Sequence, residues 1–213
     1  MKRVKVCGLK EPPNLVEVSR LGVDFLGFIF YPPSPRCMVL ERLPETTRQA
    51  LEPLPVERVG VFVNARIPEV LEKIAPFQLN CVQLHGEESP EYCAELKRVW
   101  PPLKIIKAFR IDASFDFSLT KPYETHCTLF LFDTRSKAYG GSGRTFDWAL
   151  LENYRGQTPF LLSGGLGPEN LEALKNFHHP RLAGYDLNSR FETEPGIKDV
   201  PRLERFLKEL LSS

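Results

Sequence analysis

The stretch Leu129-Phe130-Leu131-Phe132-Asp133-Thr134 passes into a loop containing Gly140-Gly141-Ser142-Gly143 and then into Thr145-Phe146-Asp147-Trp148. An apolar β pattern runs into an acid, then a glycine-rich loop, then a helix start. A carboxylate at the carboxyl end of a buried strand, beneath a covering loop, is where (β/α) barrels and open α/β sheets carry their chemistry. The rest of the chain can be asked what it brings to Asp133.

Outward from that stretch, β-rich runs alternate with helical patterns, giving eight such pairs. The strands are expected at Arg3 to Cys7, Asp24 to Phe30, Arg58 to Val63, Cys81 to His85, Lys104 to Phe109, Thr128 to Asp133, Pro159 to Ser163 and Leu182 to Leu187. Helices are expected near Asn14 to Leu21, Leu40 to Leu51, Pro68 to Ile74, Ser89 to Val99, Phe146 to Tyr154, Pro168 to Phe177 and Val200 to Leu211, with a weaker pattern near Phe115 to Leu119. Ser89-Pro90 and Gly167-Pro168-Glu169 offer a cap or loop residue, then proline at the first helical position, then an acid facing the positive dipole end. Leu203, Phe206, Leu207, Leu210 and Leu211 repeat at the spacing of one buried helical face.

Repeated βα units imply parallel strands, because neighbouring parallel strands need a crossover element. Eight of them in 213 residues fit a compact α/β fold, a (β/α)8 TIM barrel with a parallel eight-stranded barrel, over one domain spanning 1–213. An open doubly wound sheet is the alternative. Strand alternation puts Arg3, Lys5 and Cys7 inside in the first strand and Cys81, Gln83 and His85 inside in the fourth. It sets Leu129, Leu131 and Asp133 on one face of the sixth. In the third, Val59, Val61 and Val63 are expected outside, with Gly60, Phe62 and Asn64 inside.

Composition narrows the function classes. The chain is 42% hydrophobic and 26% charged with net charge +1, so no global field favours nucleic acid or an acidic membrane surface. No stretch approaches the ~18 apolar residues of a spanning helix, and the amino terminus carries no long apolar run, so a cytoplasmic protein is expected. Cysteines at 7, 37, 81, 93 and 127 show no C-x-x-C spacing, which argues against disulfides and zinc.

Cys7 is either a small buried hydrophobe or a nucleophile or base. Lys5, two residues earlier on the same face, would lower the thiol pKa and favour thiolate. Asp133 is a general acid or base, or else a turn cap or a structural partner of an interior lysine. His85, before Gly86-Glu87-Glu88, either shuttles protons or hydrogen-bonds the rim. Nothing stands with it at metal-ligand spacing, so no metal is expected. Gly164-Gly165, after the seventh strand, and Asn188-Ser189, after the eighth, lie where this barrel often binds phosphate; unliganded tight turns are the alternative. Arg36, in Ser34-Pro35-Arg36, is a solvated surface residue or a clamp for a substrate carboxylate.

Assembled, these residues resemble the phosphoribosylanthranilate isomerase family of tryptophan biosynthesis, over nearly the whole length. The markers are Lys5-Val6-Cys7-Gly8-Leu9, Ser34-Pro35-Arg36, Val59-Gly60-Val61-Phe62, Val82-Gln83-Leu84-His85-Gly86, Asp133-Thr134, Gly140-Gly141-Ser142-Gly143 with Phe146-Asp147-Trp148, Ser163-Gly164-Gly165-Leu166 and Pro195-Gly196-Ile197-Lys198-Asp199. Each is weak alone; the ordered set is specific. The resemblance implies an Amadori rearrangement of N-(5-phosphoribosyl)anthranilate, an aminoaldose, to the corresponding aminoketose, with no metal or organic cofactor. It implies Asp133 as the acid that opens the sugar ring, Cys7 as the base at C2, Arg36 near the anthranilate carboxylate, and Gly164, Gly165, Asn188 and Ser189 around the phosphate, with Gln83 and His85 as further substrate-binding residues. The partner is then a small phosphorylated aminosugar, with no nucleic acid and no membrane. A monomer is expected, with a homodimer as the alternative. The loop at 137–144 is a candidate lid.

The chain departs from the family's usual pattern at Lys10, in place of threonine, at Ser163, in place of alanine, and at Asn188-Ser189-Arg190, where Ser-Ser-Gly is commoner. Arg190 either supplements the phosphate cradle or points to solvent.

Overall fold

The structure, a computed structural model, describes residues 2–134 and 148–212. In chain order the elements are β1 (Arg3–Cys7), α1 (Pro12–Ser19), β2 (Phe25–Ile29), α2 (Glu45–Leu51), β3 (Glu57–Phe62), α3 (Ile67–Phe77), β4 (Cys81–Leu84), α4 (Pro90–Val99), β5 (Lys104–Arg110), β6 (Leu129–Asp133), β7 (Phe160–Ser163), α5 (Leu171–Asn176), β8 (Leu182–Leu187), a hairpin of β9 (Glu192–Glu194) and β10 (Ile197–Lys198), and α6 (Val200–Leu211). Strands β1 to β8 pair in sequence, all in parallel, and β8 returns to β1, closing the barrel. The expected (β/α)8 fold is what the chain forms. The glycine-rich stretch 140–143, the whole candidate lid at 137–144 and the start of the helix expected at Phe146 lie outside the described residues.

Local chemistry explains where elements begin and end. Ser89 caps α4, its side chain accepting from the Tyr92 amide at 3.3 Å, and Asp199 caps α6 through the Arg202 amide at 3.1 Å. Helix α2 starts only at Glu45, five residues later than the pattern suggested, because Pro44 disfavours helix in the residue before it. The weak pattern near Phe115 becomes a 3-10 helix over Phe117–Tyr123, capped by Asp116 and containing Pro122, which has no amide to donate. The helix behind β6 is also 3-10, over Trp148–Asn153. On α6 the buried face is Leu203, Phe206, Leu207 and Leu210; Leu211, expected with them, is 38% exposed.

Two apolar layers hold the barrel. Inside are Phe25, Val59, Cys81, Ile106, Ala108, Leu129, Leu131 and Leu161. Outside, under the helices, lies a larger cluster that includes Val4, Val6, Leu26, Phe28, Phe62, Val82, Leu84, Phe130, Phe132 and Leu162. Strands β1, β4 and β6 therefore face as their alternation indicated, but β3 does not. Val59 lies inside, in register with Cys81, while Phe62 packs outward and stacks on Phe30 at 5.2 Å between centroids. Both faces of β3 are apolar, so its alternation carried no polarity signal. Volume decides instead: the benzyl group goes to the roomier helix layer.

Candidate active site

Cys7 ends β1 and Asp133 ends β6, both buried and both at the carboxyl rim. Around the barrel they are separated on one side by β8 and β7, whose loops carry Asn188 and Gly164. The rim thus divides into two groups of side chains.

On the Cys7 side, the ammonium of Lys5 is fully buried and donates to Asp186 Oδ1 at 2.8 Å. The other carboxylate oxygen accepts from Ser163 Oγ at 3.0 Å. Gly27, in register with Cys7, leaves the space these groups use: a Cβ there would fall 2.9 Å from Cys7 Sγ and 3.2 Å from Lys5 Nζ. Sequence reasoning expected Lys5 to lower the Cys7 pKa. The net shift is upward instead, because burial disfavours the thiolate more strongly than the Lys5 charge favours it. Lys5 itself is held as an ammonium: burial opposes its charge, but Asp186 and Cys7 outweigh it and raise its pKa.

Arg36 meets Glu192 in a forked pair, Nε to both carboxylate oxygens at 2.9 Å and Nη2 to Oε2 at 2.7 Å. Glu192 also accepts from Lys198 Nζ at 2.6 Å and from the Gly196 amide at 3.1 Å. Burial raises the Glu192 pKa, but Arg36 and Lys198 more than offset it and hold the carboxyl below its ordinary value. Lys198 donates in addition to Asn188 Oδ1 at 2.8 Å, so Asn188 is tied to the hairpin. Ser189 is exposed. Arg190 turns to the surface, where its Nε pairs with Glu169 at 3.0 Å.

On the Asp133 side, His85 Nε2 lies 3.6 Å from Asp133 Oδ2, and Gln83 Nε2 lies 2.7 Å from His85 Nδ1. If the Gln83 amide donates to Nδ1, the ring proton stands on Nε2, on the side of the carboxylate. The Thr134 amide and hydroxyl both donate to Ser163 O, at 3.0 and 2.8 Å. Gly164 has φ of +105°, and a Cβ on it would lie 2.8 Å from the Thr134 nitrogen. Only glycine fits there. Gly165 follows at +66°, bringing the turn to Pro168–Asn170 and the six-residue α5. A helix this short adds little dipole, so an anion at that loop would rely on the backbone amides.

The segment behind His85 is fixed by a buried pair. Glu88 Oε1 accepts from the Asn64 amide at 2.8 Å, while Oε2 accepts from the Gly86 amide at 2.9 Å and from Lys107 Nζ at 3.1 Å. Lys107 also donates to Gly86 O at 2.6 Å and Leu84 O at 3.3 Å. A cleft of about 490 Å³, lined by His85, Lys107, Phe109, Arg110, Leu119 and Tyr123, opens beside it. Among the described residues no three His, Cys, Asp or Glu side chains are grouped to hold a metal ion.

Five functional candidates were missed in the sequence: Asp186, Glu192, Lys198, Glu88 and Lys107. Lys198 stood within the Pro195 to Asp199 motif, and Asp186 was an acid in an apolar strand. What joins Asp186 to Lys5 is strand register, which the sequence does not print.

The geometry has counterparts. Residues 4–209 match the family model described as N-(5'phosphoribosyl)anthranilate (PRA) isomerase. A protein of Parabacteroides distasonis named N-(5'-phosphoribosyl)anthranilate isomerase is 51% identical over 210 residues, covering 98% of this chain and 93% of its own. The crystal structure of phosphoribosyl anthranilate isomerase from Thermotoga maritima superposes with a TM-score of 0.82 at 36% identity, covering 100% of both chains. A crystal structure of such an isomerase in complex with reduced 1-(o-carboxyphenylamino)-1-deoxyribulose 5-phosphate superposes with a TM-score of 0.80 at 34% identity, again over 100% of both.

Proposed function

Since the chain belongs to the N-(5'-phosphoribosyl)anthranilate isomerase family, we propose that its acid and base are Asp133 and Cys7. The protein is an enzyme of tryptophan biosynthesis that converts N-(5'-phosphoribosyl)anthranilate to 1-(2-carboxyphenylamino)-1-deoxyribulose 5-phosphate by an Amadori rearrangement. The observation supporting the assignment is that the two groups end β1 and β6 on one rim, with the β7 and β8 loops between them.

As the acid, Asp133 gives a proton to the ribose ring oxygen, opening the ring to an iminium. The iminium acidifies C2, whose proton the Cys7 thiolate removes to leave an enolamine, which tautomerises to the ketone. Arg36, steadied by Glu192 on its Nε edge, takes the anthranilate carboxylate. The amides of Gly164 and Gly165, with Asn188 and Ser189, take the phosphate, and His85 with Gln83 lines the wall beside Asp133. The substrate is a small phosphorylated aminosugar and the chemistry needs no added cofactor. The enzyme acts as a cytoplasmic monomer of one domain, with neither nucleic acid nor membrane as partner. No helix among the described residues is long and apolar enough to cross a membrane.

The test follows the anthranilate-type fluorescence of freshly made substrate mixed with metal-stripped protein. Turnover is expected, together with loss of kcat in Cys7→Ala and Asp133→Ala. A folded Cys7→Ala or Asp133→Ala variant with wild-type kcat would overturn the assignment of that residue.

A further inference from the structure

Lys5 is fully buried in a barrel interior that also holds the apolar cluster of Phe25, Val59, Ile106 and Leu129. A hydrophobic side chain at that position would pack more cheaply than an ammonium needing a buried carboxylate. Instead Lys5 and Asp186 form a buried pair at 2.8 Å, with Ser163 Oγ on the second Asp186 oxygen at 3.0 Å. The ammonium and the Cys7 sulfur both lie within 3.2 Å of the point where a Gly27 Cβ would stand.

We infer that Lys5 is a positioning residue supplying the counter-charge of the Cys7 thiolate, and that Asp186 and Ser163 set how much of that charge the sulfur feels. This rests on reading Cys7 as the base. Among the described residues, the groups that face Cys7 are Lys5 from β1, Asp186 from β8, Lys198 from β10 and Arg36 from the loop after β2, with Glu192 of β9 bridging the last two. From β2, Gly27 stands in register with Cys7. In their ordinary charged forms these are three cations and two carboxylates, so the cluster is one negative charge short while Cys7 is a thiol. Ionising the sulfur balances it. Burial opposes that ionisation, and Lys5 limits the opposition. Asp186 draws on the same ammonium, and its carboxylate repels the thiolate. Ser163 donates into Asp186 and blunts that repulsion.

The three side chains therefore act on the thiolate with different signs, which a purely structural role does not produce. The thiolate ultraviolet absorbance is titrated for each variant against the same variant carrying Cys7→Ala, and the acid limb of kcat/KM is measured in parallel. Lys5→Met is expected to move the Cys7 midpoint up by on the order of one pH unit, Asp186→Asn to move it down by a similar amount, and Ser163→Ala to move it up by less. Shifts that are absent, or that share one sign in Lys5→Met and Asp186→Asn, overturn the inference. If Lys5→Met does not fold, Ser163→Ala and Asp186→Asn carry the test alone, and a failure to move in opposite directions overturns it. If the absorbance midpoints move as stated while the kcat/KM limb stays, the charge coupling stands and Cys7 as base falls.

Discussion

Removing Glu88 should unsettle the rim behind His85, and the cost can be worked from its contacts. The Glu88 side chain is 2% exposed and accepts from the Asn64 amide, the Gly86 amide and Lys107, whose own side chain is 3% exposed. Glu88→Ala leaves a buried ammonium without its counter-charge, a change worth about 3–5 kcal/mol when one partner of such a pair is deleted. Two features place the expected loss at the lower edge, ~3 kcal/mol. Lys107 keeps the carbonyls of Gly86 and Leu84, and the two abandoned amides sit at the rim where water can replace the carboxylate. For a chain of this size that loss lowers the melting midpoint by about 6–12 °C. Urea unfolding of Glu88→Ala, of Lys107→Met and of the double variant would measure it. The double variant should regain a large part of the loss, since no charge is then left stranded. A Glu88→Ala stability within ~0.5 kcal/mol of wild type, or strictly additive effects in the double variant, would refute the reasoning.

Other perturbations reach the remaining parts of the site. Gly164→Ala must hold alanine at φ of +105° with its Cβ against the Thr134 backbone, so a loss of at least ~2 kcal/mol in thermal unfolding is expected, with a fall in kcat as the end of β6 is displaced; an unchanged melt would count against it. Because burial raises the Cys7 pKa and a base must be ionised to act, kcat/KM should climb with pH through a midpoint above the ordinary thiol value of about 8.5, and a midpoint below that would show that burial does not dominate. Glu192→Gln weakens the fork that steadies Arg36, so KM is expected to rise about tenfold, ~1.4 kcal/mol of binding, with kcat little changed. An unchanged KM would remove Glu192 from substrate binding. The depressed Glu192 carboxyl also contributes stability that is complete above the ordinary Glu value of about 4.3 and lost as pH falls through its lower folded value, so the variant's unfolding should be less acid-sensitive than wild type.

The eight-unit pattern and the rim positions of Cys7, His85 and Asp133 were legible because each strand ends where an apolar run meets a polar or glycine-rich turn. Strand bounds at β1 and β8 coincide with the pattern, and others differ by a residue or so. Facing was legible in β1 and β4, where one face is apolar and the other mixed, and illegible in β3, where both are apolar. The charge pairs were harder to see. Glu192 and Arg36 are 156 positions apart, and nothing local in either marks the other. The same holds for Lys5, whose neighbour Cys7 suggested a lowered thiol pKa. Burial, the stronger influence, is a property of the closed barrel and of no single stretch.

The Lys5–Asp186 pair joins residues 181 positions apart, across the seam where the first strand meets the last. During synthesis β1 leaves the ribosome carrying a lysine that has no buried partner until β8 arrives. Ring closure and neutralisation of that lysine are then a single late event. A chain truncated before residue 186 lacks both the strand that seals the ring and the carboxylate that lets Lys5 be enclosed, and so keeps an open sheet edge.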